Sequence, residues 1–89
     1  MKYTPYALQR LREIIAELEG NTHALNSFID CFAAAESQIF SEPSSGEFLT
    51  ISDGGLAIYA LLFGRCYAIC YVIDPELAVV NLCHASMVL

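Results

Sequence analysis

The chain has 89 residues, 56% of them hydrophobic and only 16% charged, which is enough for one modest core and too little for two. Four cations against ten carboxylates give a net charge of -6, and Arg65 is the only cation after Arg12. A chain with that deficit cannot displace counterions along a phosphate backbone, which excludes generic nucleic-acid binding.

The first residues, "MKYTPYALQR", lack the apolar run of a secretory signal, so a cytoplasmic location with reduced cysteines is expected. Lys2 and Tyr3 can supply a short first strand. Thr4-Pro5 has the form of an N-cap followed by proline at the first helical position. Leu8, Leu11, Ile14, Ile15 and Leu18 then recur at helical spacing, with Arg10, Glu13 and Glu17 on the wet side, and Gly20 stops the helix. Asn21 or Thr22 starts a second helix, whose apolar face is marked by Leu25, Phe28, Ile29, Phe32 and Ile39. So short a connection predicts an antiparallel helical hairpin over residues 4–40.

The linker "SEPSSG" follows, and after it the hydrophobic period changes from helical to strand-like. "EFLTIS", "LAIYALLF", "CYAICYVI" and "LAVVNLCHA" predict four antiparallel strands within residues 47–86, joined by turns at Asp53-Gly54-Gly55, Gly64-Arg65 and Asp74-Pro75-Glu76. The expectation is a single α+β domain over residues 1–89: an N-terminal helical hairpin packed on a four-stranded antiparallel sheet, with Lys2 and Tyr3 available as a short extra strand. Gly54 to Ile73 has the length of a membrane span. Arg65 within it would cost roughly 2.5–3.5 kcal/mol in a bilayer. The Gly-Arg pair also divides it into two short runs, so two buried strands and no membrane association are expected.

Strand alternation sends Cys66, Ala68, Cys70 and Val72 one way and Tyr67, Ile69, Tyr71 and Ile73 the other. In the last strand, Leu77, Val79 and Cys83 oppose Ala78, Val80 and Leu82. A sheet apolar on both faces must be covered on both, and two helices cover one. The other face is expected to meet a second chain, either a copy forming a homodimer or a different protein, through Tyr59, Ile69, Tyr71 and Val80.

Site chemistry is sparse. Cys66 and Cys70 are separated by roughly 13 Å along a strand, too far to share an ion, and Cys83 and His84 point to opposite faces. The cysteines therefore read as small buried hydrophobes, and no metal or cofactor is expected. No phosphate loop and no nucleophile elbow is present. His84, which can exchange a proton near neutral pH, and Arg65 are the candidates that remain.

"YTPYALQRLREIIAEL", the second helix, "EPSSG" and "CYAICYVIDPELAVVNLCHA" together resemble the RelE/ParE toxin superfamily of bacterial toxin–antitoxin systems. The likeness rests on the Thr-Pro start of the first helix and on the C-terminal strand pair, here Tyr71, Ile73, Asp74, Val79, Val80, Leu82 and His84. It implies a helical hairpin on an antiparallel sheet and neutralisation by a cognate antitoxin. It further implies either messenger cleavage in the ribosome, for which His84 with Arg65 and Tyr67 would be the catalytic set, or gyrase-type action through protein binding. The chain departs from the ribonuclease branch at Ala68, where that branch carries arginine, and at "ASMVL", where basic residues follow the histidine. Cleavage needs cations to hold the charge of a pentacovalent phosphate. The expectation is therefore a toxin-family protein, gyrase-type or catalytically weakened, that acts by protein binding rather than as an enzyme. An mRNA endoribonuclease and a non-enzymatic homodimeric scaffold are the alternatives.

Overall fold

The computed structural model describes residues 1–88. A two-residue strand β1 (Lys2–Tyr3) leads into helices α1 (Pro5–Leu18) and α2 (Thr22–Ser41), and then into strands β2 (Glu47–Ile51), β3 (Ala57–Phe63), β4 (Tyr67–Val72) and β5 (Ala78–His84). The sheet order is β1-β5-β4-β3-β2. β2 to β5 form an antiparallel meander, while β1 joins β5 in parallel, so the sheet is mixed and five-stranded.

Both helix starts follow from local chemistry. The Thr4 hydroxyl accepts from Ala7 N at 3.1 Å, with Pro5 opening α1. Asn21 Oδ1 accepts from Ala24 N at 3.0 Å and caps α2. Thr4 also ties α1 to the sheet, since its N–H donates to Val79 O at 2.9 Å. Between β3 and β4, Gly64 and Arg65 both take positive φ, 60° and 73°, within the short reversal between the paired Phe63 and Tyr67. The segment Gly54–Ile73 thus folds as β3, this turn and β4, and among the described residues no helix is long and apolar enough to cross a membrane.

One core lies between the hairpin and the sheet. Ala7 and Ile14 of α1 and Phe28, Ala35 and Ile39 of α2 close over Phe63, Tyr67, Ile69, Tyr71, Val79 and Leu82. Two helix positions differ from expectation. Leu8 and Ile29 are exposed, because each sits one position off its helix's inner stripe, which runs through Ala7 and Ile14 in α1 and through Phe28, Ala35 and Ile39 in α2.

Tyr71 anchors the linker. Its hydroxyl donates to Pro43 O at 2.6 Å and accepts from Gly46 N at 2.9 Å. Only glycine fits at position 46, since a Cβ there would lie 2.4 Å from that hydroxyl oxygen.

In β5 the alternation breaks. Cys70 pairs with Asn81 and Tyr71 with Val79, leaving Val80 as an extra residue in a bulge. Val79 and Leu82 therefore share the helix side, and Val80 joins Cys83 on the other, so simple alternation misplaces Leu82.

Candidate functional site

His84 and Tyr67 face each other across β5 and β4, and their rings stack with centroids 5.4 Å apart. Arg65 is exposed in the preceding turn. The three residues suggested by sequence therefore lie at one end of the sheet. Their surroundings are acidic: His84 Nε2 lies 3.9 Å from Glu17 Oε2 on α1. Burial pushes the Tyr67 hydroxyl above its ordinary range, and Cys66 and Glu17 push it further the same way. A tyrosine so placed keeps its proton and is a poor base. A phosphate at this end would meet exposed Arg65, an Arg10 already engaged by Leu82 O and Glu13, and a carboxylate, with Tyr67 largely covered by Phe28 at 4.9 Å.

The four side chains expected to meet a partner do not share a surface. Ile69 and Tyr71 are 0% exposed beneath the helices, and Tyr59 stacks on Tyr71 from the same side at 5.9 Å. Val80 alone lies on the opposite face. The pairing of Tyr67, Ile69, Tyr71 and Ile73 on one face was read correctly from alternation; which face the helices take was not in the pattern. They take the aromatic one, where the larger side chains bury more area.

The opposite face has a floor of small side chains, Ala68, Cys70 and Cys83, with Ile58, Ala60 and Val80 around them. It is less open than expected, because Val88 folds back and packs on this floor, after a short turn at Ala85–Met87. Two grooves remain on either side of Val88, of about 420 Å³ and about 320 Å³, and Leu49 lines both. The larger runs from Tyr6 and Arg10 of α1 to Val80 and Asn81 at the bulge. Arg10 is engaged within the chain: its Nε donates to Leu82 O at 3.1 Å and its guanidinium pairs with Glu13. Asn81 lines this groove, and its Oδ1 is buried without a hydrogen-bond donor.

Sequence reasoning missed Leu49, Thr50, Asn81 and Val88 as groove residues. Alternation in "EFLTIS" was legible, but the bulge that turns Leu49 and the return of Val88 depend on contacts far along the chain. The Cys70 thiol is pushed up by burial and then by neighbouring Cys83, which keeps it protonated and inert as packing. Among the described residues no three His, Cys, Asp or Glu side chains gather as a metal site would need. No protein-family model, no curated protein and no solved structure matches this chain.

Proposed function

We propose that this chain is the toxin-family member of a RelE/ParE-like toxin–antitoxin pair, that it acts by binding protein, and that a cognate antitoxin neutralises it. The observation that carries the reading is the apolar groove over the Ala68, Cys70 and Cys83 side of the sheet, opposite the aromatic face that the helices cover. The helical hairpin laid on the antiparallel meander β2 to β5 agrees with the architecture that the resemblance implies. The charge distribution supports binding over cleavage, because of the two arginines at the histidine end Arg10 is engaged by Leu82 O and Glu13, and Glu17 faces His84.

Inducible expression in a bacterium, followed by viability counts, tests this. Growth arrest that is relieved by co-expressing the adjacent gene, without new messenger ends, is the expected result. Undiminished growth would overturn it. The stacked Tyr67–His84 pair favours a second reading, a ribosome-dependent endoribonuclease. For that reading, new cleavage ends would appear on induction, and His84→Gln would abolish them while circular dichroism showed the fold intact.

A further inference from the structure

Cys70 and Cys83 are far apart in sequence, and the sheet brings them together. On the paired strands β4 and β5, Cys70 lies opposite Asn81 and Cys83 opposite Ala68. Both cysteines belong to the small-residue floor opposite the aromatic face, where they are 4% and 5% exposed. Diagonal neighbours on one face stand roughly 7 Å apart or a little less at Cβ, so two sulfurs can turn toward each other between them. Here they do: the Cys83 thiol is near enough to hydrogen-bond with that of Cys70. Both are free thiols.

The pair is covered from the sides and open from above. Both cysteines line the groove of about 420 Å³ beside Val88, together with Met87, which is 76% exposed. Three sulfur-bearing side chains therefore border one opening. Among the described residues no Asp or Glu borders it, so it offers nothing to calcium, magnesium or manganese. Zinc takes four donors, and no three His, Cys, Asp or Glu side chains gather among the described residues. His84 borders the groove, but its ring is stacked on Tyr67. What fits is a soft ion satisfied by two sulfurs. A metal–sulfur bond is about 2.3 Å long, so an ion between two thiolates spans about 4.6 Å, which diagonal cysteines can bracket.

We propose that Cys70 and Cys83 bind one Cu(I) ion through their two sulfurs, with the Met87 thioether closing over it from the groove mouth. Each thiol gives its proton to the solvent as the metal–sulfur bond forms, and no electron is transferred. Protonated, the pair only packs. Cu(I) displaces the protons because thiolate and thioether are the ligands that select it. The site stands whether or not the chain arrests growth, since it needs only these three side chains.

Titration of the full chain with Cu(I), oxygen-free and against a chromophoric Cu(I) chelator, tests this. One ion per chain should be retained, with a near-ultraviolet thiolate-to-metal band and amide resonance shifts at residues 70, 83 and 87. Affinity should fall as pH is lowered, because protons compete for both sulfurs. Cys70→Ala and Cys83→Ala should each weaken retention at least about tenfold, and Met87→Leu by less. Cys31→Ala and Cys66→Ala should leave it unchanged. If thermal melts show that the Cys70 and Cys83 variants do not fold, the resonance shifts of the unaltered chain decide the case. Retention that survives in the folded Cys70→Ala and Cys83→Ala variants, or that fails in Cys66→Ala, would overturn the proposal. So would no retention, retention of Zn(II) in place of Cu(I), or a chain whose mass doubles with the ion, since exposed Cys66 would then bridge two copies.

Discussion

Strands β4 and β2 belong to one sheet and both are built from aromatic and branched apolar residues, yet every residue of β4 is buried and every residue of β2 is exposed. The difference comes from sheet order. β4 lies between β3 and β5, under the helices on one side and over the Cys70–Cys83 floor on the other. β2 lies at the edge, where α2 contacts β3 but the hairpin does not extend over Phe48 or Ile51. Strand propensity marks both segments and ranks neither by burial.

The largest test of that contrast is a matched pair of truncations. Ile69→Ala in β4 should cost about 2–5 kcal/mol, from lost transfer energy and the cavity left behind. Ile51→Thr in β2 should change stability by less than about 0.5 kcal/mol. Urea unfolding of both variants checks this, and equal losses would mean that β2 is covered in solution.

Next in size is the Tyr71 latch. Tyr71→Phe leaves Gly46 N and Pro43 O without their partner and should cost about 1–3 kcal/mol. Gly46→Ala should also destabilise, because its Cβ would lie 2.4 Å from the Tyr71 hydroxyl. The two losses should be less than additive in the double variant, since removing the hydroxyl relieves part of the clash. Full additivity would show that the linker is not held through that oxygen.

A smaller effect is alkaline. Burial raises the Cys70 thiol from 9.0 to about 12, and raises the Tyr67 and Tyr71 hydroxyls above 10.0. The unfolded chain therefore releases protons first, so the folded state binds more of them and stability falls as pH rises. The fall should begin near pH 9, and Cys70→Ala should make it shallower between 9 and about 12. Urea midpoints across that range provide the measurement; an unchanged slope would place the burden on the tyrosines alone.

His84→Gln should have the smallest effect. The histidine is exposed and its carboxylate neighbour stands 3.9 Å away, so less than about 0.5 kcal/mol is expected. If the chain arrests growth by binding, the variant should arrest it equally. Loss of arrest with the fold preserved would return the Tyr67–His84 end to catalytic candidacy.

Much of the fold was legible in the sequence because its signals are local. Thr4-Pro5 and Asn21 start helices wherever an apolar stripe follows, since they satisfy backbone donors that the helix cannot. Gly64-Arg65 between two apolar runs marks a hairpin, because so short a reversal, here the three residues between Phe63 and Tyr67, needs positive φ. The side-by-side alternation of Tyr67, Ile69 and Tyr71 against Ala68 and Cys70 is equally local, since it follows from the pleat.

Tertiary structure decided what those elements do to one another. Alternation shows that two faces exist, but only the packed hairpin shows that the aromatic face is the inner one, which withdraws Ile69 and Tyr71 from any partner. The Val80 bulge moves Leu82 to the helix side, and Val88 returns over Ala68, because those shapes answer to neighbours distant in sequence. Composition determined how much apolar surface the chain had to hide. Sheet order left Phe48 and Ile51 among the apolar surface it does not hide, since an edge strand at the rim of a two-helix layer has nothing of its own to cover it.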